Sequence, residues 1–200
     1  MPVITGNAVA ARNLSRGEMS LMGGAVNSKI KNMIQEARDG DSEIQVALGW
    51  LYHEGREVKK SFRKSFYWTA AAALSGINRI VYYNLSIAYS LGRGVKRNDY
   101  KAFLWAKRAA EMEYEDAMLA VAWFYFNGMG TVQNSCKAQE WYEKILAINP
   151  RNVSALFSLG QIYFFRREYD DVREYFHKAY KINQHVRACY YLGRLFLEKQ

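Results

Sequence analysis

The chain has 200 residues, 50% hydrophobic and 24% charged, with only 2 prolines, so it is a folded chain of one domain or a short repeat array, not a disordered one. Its 2 cysteines exclude a disulfide-stapled mini-domain, and the longest uncharged apolar stretch, 117–126, is about half of the roughly 18 residues that a membrane span needs. The net charge is +9, with 12 basic against 7 acidic residues in 41–114 and 2 against 4 in 115–150, which favours acidic partners or nucleic acid and says nothing about fold.

Residues 1–24 carry Gly6, Gly17, Gly23 and Gly24 and no period, and read as a mobile or extended arm. Ala8-Val9-Ala10 resembles a cleavage site, but neither a basic residue nor a long apolar core precedes it, so the expected location is the cytoplasm. Over 25–40, Val26, Ile30, Met33, Ile34 and Ala37 space as one helical face, capped at Asn27 or Ser28. Repetition then begins. Leu48-Gly49-Trp50-Leu51-Tyr52 returns as Leu85-Ser86-Ile87-Ala88-Tyr89, Val121-Ala122-Trp123-Phe124-Tyr125, Leu159-Gly160-Gln161-Ile162-Tyr163 and Leu192-Gly193-Arg194-Leu195-Phe196. The closing aromatics lie 37, 36, 38 and 33 residues apart. Trp68, Trp105 and Trp141 each follow their tyrosine by 16 residues, and Phe176 follows Tyr163 by 13. Each unit therefore holds two helices. The first is marked by apolar faces such as Ala117, Met118, Val121, Ala122 and Tyr125, and the second by helix formers such as 101–110. Glycines (Gly55; Gly92 and Gly94; Gly128 and Gly130) end the first helices, and Asn98, Asp99, Asn134 and Ser135 are placed to cap the second. No such pair folds alone, so a stack of antiparallel pairs is expected.

The run Ala117-x-x-x-Val121-Ala122-x-x-Tyr125-x-x-Gly128-x-Gly130, then Lys137-Ala138-x-x-Trp141, resembles the Sel-one-like repeat (SLR), and 89–110 resembles it equally. Repeat 1 departs from the pattern with Ile44 in place of a small residue and Glu57 in place of the second loop glycine. Residues 151–184 resemble instead the tetratricopeptide repeat (TPR), through Leu159-Gly160-x-x-Tyr163, Phe176 and Ala179, with Val172 and Gln184 as departures. The resemblance implies an all-α, right-handed α-solenoid over 25–200: a lone helix at 25–40, repeats at 41–77, 78–113 and 114–150, a TPR-like repeat at 151–184, and a last helix at 185–200. It implies protein–protein contact as the function.

Two surfaces are candidates. In each first helix, the stripe six and two residues before the motif aromatic and one after it lies roughly 100–160° from the face that meets its mate. Eleven of the fifteen stripe residues are apolar or aromatic, which marks a concave groove for an amphipathic or extended segment. Its expected contacts are Trp50, Tyr83, Ile87, Trp123, Phe126, Phe157 and Phe164; the alternatives are that curvature buries them together or that residues 1–24 cover them. The second surface is a basic ridge of stacked loops and helix starts carrying Arg56, Lys59, Lys60, Arg63 and Lys64, then Arg93, Lys96, Arg97 and Lys101. Cations there oppose the helix dipole, so an acidic protein surface is the expected partner, against a merely solvated face. Nucleic acid is the alternative, disfavoured because the ridge has no interleaved aromatics. The last helix is apolar on more than one side, which leaves a choice between a polar cap (Arg187, Arg194, Glu198, Lys199) and a homodimer contact.

Catalytic look-alikes fail on chemistry. His53-Glu54-Gly55-Arg56-Glu57 lacks the second histidine of a zinc-protease helix. Ser61-x-x-Lys64 and Ser28-x-x-Lys31 lack the companion motifs of serine acyl enzymes, and the paired glycines follow no strand. The three histidines are dispersed, the cysteines have no metal spacing, and Cys189 falls at a core-facing position. No enzyme, metal or cofactor is expected. The expected role is an adaptor, or an immunity or regulatory protein occluding an acidic toxin or enzyme.

Overall fold

The computed structural model describes residues 28–75, 78–183 and 186–198; the arm at 1–24 and residues 25–27 lie outside them. The described residues form helices throughout, with no strand: α1 (28–38), α2 (Ser42–Glu54), α3 (Phe62–Ser75), α4 (Arg79–Leu91), α5 (Asp99–Ala110), α6 (Glu115–Asn127), α7 (Ser135–Ile148), α8 (Val153–Arg166), α9 (Tyr169–Asn183) and α10 (Val186–Glu198). The all-α class and the alternation of two helix types follow the repeat. The chain divides into two compact units, Met1–Gly76 with α1–α3 and Ile77–Gln200 with α4–α10.

Short polar side chains start the helices as the pattern requires. Asp41, Asn78, Asn98, Asn134 and Asn152 sit in extended backbone and accept hydrogen bonds from N–H groups of the first turn, such as Lys101 N–H to Asn98 Oδ1 at 2.9 Å and Lys137 N–H to Asn134 Oδ1 at 2.9 Å. Left-handed residues end the first-type helices, at Gly55, Gly92, Gly128 and, without glycine, at Arg167.

In the first unit Leu48 and Tyr52 of α2 pack with Trp68 of α3 and Ala37 of α1. The buried Gln45 amide donates to the Ala37 carbonyl at 2.8 Å, which explains a polar residue where the other repeats carry apolar ones. In the second unit each helix packs on the one before and the one after, as in an α-solenoid. Alanines 102, 106, 109, 110, 117 and 122 are almost wholly buried and let α5 and α6 approach closely; Val121, Tyr142, Ile145, Leu159 and Ile162 fill the space around them. Phe176, Val172, Ala179 and Leu156 form the core of the following pair. Glu115, at the start of α6, accepts from the side-chain amides of Asn149 (3.1 Å) and Asn152 (2.6 Å) and so ties the α7–α8 turn to the repeat before it.

One contact recurs in every Sel-one-like unit. A lysine from the start of the second helix lies over the ring of the motif tyrosine: Lys64 over Tyr52 at 5.0 Å, Lys101 over Tyr89 at 5.5 Å and Lys137 over Tyr125 at 5.5 Å. Each is a cation–π pair of about 0.5–1 kcal/mol, enough to offset the unfavourable dipole at that end. In the fourth unit Tyr175 takes the lysine's place and stacks on Tyr163, with centroids 5.3 Å apart. Burial, with Tyr175, Glu143 and Asp171 nearby, pushes the Tyr163 phenol up to about 12. That is above the ordinary value of about 10, so the folded state keeps this proton after the unfolded chain has lost it. Its contribution to stability is complete below about pH 10 and is lost as pH rises through about 12. Tyr163→Phe is expected to flatten this part of the pH dependence, read from urea unfolding across that alkaline window.

The loops explain both the glycine pair and its exception. Gly130 has φ 67°, and a Cβ there would lie 2.1 Å from the Asp99 carbonyl oxygen, so the loop after α6 rests directly on the backbone at the start of α5. Glu57 occupies the equivalent position after α2 with φ 60°, and its carboxylate points to Lys29 of α1 at 3.9 Å. Here the side chain has room, and only the backbone is strained. An exposed pair of that length contributes little, whereas the left-handed conformation costs about 1–2 kcal/mol for a residue with a Cβ. Glycine gives back about 0.5–1 kcal/mol as unfolded-state entropy. Glu57→Gly is therefore expected to stabilise the protein by about 0.5 kcal/mol, seen as a small rise in Tm by calorimetry.

Candidate functional site

In the second unit, α4 and α6 leave a cleft of about 380 Å³ between them. One wall is Tyr83, Ser86, Ile87, Ser90 and Leu91 of α4, and the other is Ala120, Trp123 and Phe124 of α6. Arg97 and Met129 close it from the loops that follow the two helices. The wall residues recur at three- and four-residue intervals, so they share one face of each helix. The opposite face of each is buried: Val81 and Leu85 in α4, Ala117 and Val121 in α6. The Trp123 indole is 46% exposed and touches Phe124 edge-on, with centroids 5.6 Å apart. Tyr83 packs edge-on against Tyr114, and Arg79 lies over the Tyr114 ring at 5.8 Å. Burial, and then the Asp116 carboxylate, push both phenols up, so Tyr83 stays a neutral hydroxyl at the cleft. Arg97 donates two parallel hydrogen bonds to Asp99, at 2.9 and 3.0 Å, which holds its guanidinium in place.

Three of the expected groove residues, Tyr83, Ile87 and Trp123, thus share one cleft with Arg97 of the basic ridge. The others are placed differently. Phe126 is half-buried and packs on Phe165 at 6.1 Å, and Phe164 carries the Arg194 guanidinium over its ring at 5.0 Å. Phe157 does not line a surface: only 8% exposed, it packs between Phe176 and Tyr191 in the core, because the tighter fourth pair closes over it. Trp50, in the first unit, is 48% exposed, with Arg56 stacked over it at 5.1 Å. Of the remaining ridge cations, Lys60 lies over Phe62 at 5.1 Å, while Lys59, Arg93 and Lys96 are exposed.

The sequence reading missed Leu91 and Phe165, which are 58% and 67% exposed. Both lie two residues after the motif tyrosine, one step beyond the stripe considered, so the same offset argument would have found them. Met129 was visible only as the residue between paired glycines. Cys189, expected in the core, is exposed, because no helix covers its side of α10 among the described residues.

Models of the Sel1 repeat match residues 42–77, 80–114 and 115–146, together just over half of the chain. The chain belongs to the Sel1-repeat family. A tetratricopeptide-repeat model matches residues 141–174, where the loops shorten. Among solved structures, this Sel1-repeat chain is 27% identical to c5321, a protective antigen of uropathogenic Escherichia coli strains that displays an SLR fold. Their TM-score is 0.71 over 84% of this chain and 36% of that one, so the chain spans little more than a third of that protein's length. A Sel1 repeat protein from Oxalobacter formigenes is also 27% identical, with a TM-score of 0.53 over 60% of this chain and 90% of that one. MamA, 21% identical with a TM-score of 0.60 over 86% and 96% of the two chains, shares the fold. No curated protein matches the chain. Sel1 and tetratricopeptide repeats generally mediate protein–protein interaction and are typically non-catalytic scaffolds. No described helix is long and apolar enough to cross a membrane.

Proposed function

We propose that this Sel1-repeat chain is a non-catalytic binding module whose α4–α6 cleft takes an amphipathic protein segment with an acidic flank. The observation that carries this reading is the meeting, in one cleft, of a half-exposed Trp123 with a fixed Arg97. An aromatic anchor in a pocket provides most of the affinity of such sites, and a cation at the rim sets orientation and encounter rate. Exposed Lys96 and Arg93 lie in the same loop and extend the positive rim. An acidic toxin or enzyme, occluded by the cleft, is the kind of partner this rim fits.

Peptide display against the whole chain, counter-selected with Trp123→Ala, tests the reading. The expected survivors carry apolar residues at i, i+3 or i+4 and i+7 beside Asp or Glu, and associate more slowly with Arg97→Glu. Survivors that bind both variants as well as the parent, or that are basic, would sink it. Binding of a polyanionic oligonucleotide with a steep salt dependence would point to nucleic acid instead.

A further inference from the structure

The α4–α6 cleft holds a hydroxyl that the fold does not use. Ser86 lines the cleft and is only 3% exposed, yet its hydroxyl has no hydrogen-bond partner among the described residues. Other buried polar side chains are paired: Gln45 donates to the Ala37 carbonyl at 2.8 Å, and Ser65 to the Gly49 carbonyl at 2.8 Å. The repeat explains the difference. Three residues before the motif tyrosine stand Gly49, Ser86, Ala122 and Gly160, and of these Ser86 alone carries a polar side chain. In the first pair that position meets Ser65 and Thr69 of α3. Ala102 and Ala106, both 0% exposed, stand at the equivalent positions of α5, so there the mate helix offers methyl groups instead of hydroxyls. A buried hydroxyl without a partner has given up its bonds to water for nothing, and weakens the fold.

One turn further on, Ser90 lines the same cleft and donates its proton to the Ile87 carbonyl at 3.1 Å, which leaves its oxygen to accept. Residues four apart on a helix are neighbours, about 5–6 Å between Cβ atoms. The cleft thus presents one donor and one acceptor side by side, among Ile87, Leu91 and Trp123. A carboxylate only accepts and an ammonium only donates, so neither matches this pair, and either is costly to bury between apolar walls. A carboxamide matches it: its oxygen accepts from Ser86, and its NH2 donates to Ser90.

We propose that Ser86 and Ser90 make the cleft selective for an asparagine or glutamine side chain, set between the apolar anchors of the docked helix. The inference rests on the reading of the cleft as a site for an amphipathic segment, and adds what that segment carries on its buried face. Backbone amides of the segment are not the source, because a helix already pairs its own.

The test selects displayed helical peptides on the whole chain, with leucine at i, i+4 and i+7, glutamate on the flank and position i+3 varied. Asparagine or glutamine is the expected choice at i+3. Synthetic peptides carrying either should bind about 3- to 10-fold tighter than their leucine, aspartate or lysine versions, measured by titration calorimetry. In Ser86→Ala that preference should disappear, while Tm rises by about 2–4 °C because the unpaired hydroxyl is gone. Free choice at i+3, or a preference that survives Ser86→Ala, overturns the proposal; the cleft reading still stands if binding depends on Trp123. A lower Tm in Ser86→Ala overturns it too, since the hydroxyl would then have a partner within the fold. Equal weakening of every peptide by Ser86→Ala also overturns it, because the hydroxyl would then meet the backbone of an extended segment. If no peptide is retained, or if the retained ones ignore Trp123→Ala, the cleft reading fails and this inference fails with it.

Discussion

Gly130→Ala is expected to destabilise the protein by about 2–5 kcal/mol, combining the left-handed backbone cost of about 1–2 kcal/mol with overpacking of about 1–3 kcal/mol. The added carbon would lie 2.1 Å from the Asp99 oxygen and 2.3 Å from its carbonyl carbon, and backbone cannot rotate aside as a side chain can. At 200 residues, a loss of that size lowers Tm by roughly 10 °C in a calorimetric scan. Gly193→Ala is the informative contrast. It meets nothing within 4 Å in a helix interior and is expected to be neutral or to stabilise by up to about 1 kcal/mol. If the two variants melt together, the stacking of the α6–α7 loop on α5 is wrong. Because Asp99 also holds Arg97, Gly130→Ala is expected to weaken binding at the cleft as well.

Trp123→Ala should weaken the selected acidic peptide roughly 30- to 1000-fold, or about 2–4 kcal/mol, measured by titration calorimetry. Its melting temperature should stay near the parent's, since the ring is 46% exposed and the helix face beneath it is held by Val121 and Ala122. Retained affinity in a well-folded variant would exclude the cleft. Arg97→Glu should act differently, through slower association and a weaker salt dependence, because a rim charge mainly steers encounter.

Much of this was legible in the residues. The recurrence of Tyr52, Tyr89, Tyr125 and Tyr163 marks the first helices, and asparagines 98 and 134 mark where the second ones begin, because capping and periodicity are local physics that repetition reinforces. The site was half-legible. The stripe offset located Tyr83, Ile87 and Trp123, but the same offset placed Phe157 on a surface, and packing in the tighter fourth pair buries it. Of the nine cations read from spacing as a ridge, four lie over rings: Lys64 on Tyr52, Lys101 on Tyr89, Arg56 on Trp50 and Lys60 on Phe62. Spacing counts charges along the chain, and cannot tell a charge that faces water from one laid over an aromatic face.

The amino-acid order alone determined helix type, helix ends and the alternation of two faces, since these depend on neighbours within a turn or two. Which aromatics stay open and which glycine touches a carbonyl were decided only in three dimensions. Those properties depend on the distance between pairs, and a few ångströms there change a side chain from anchor to core.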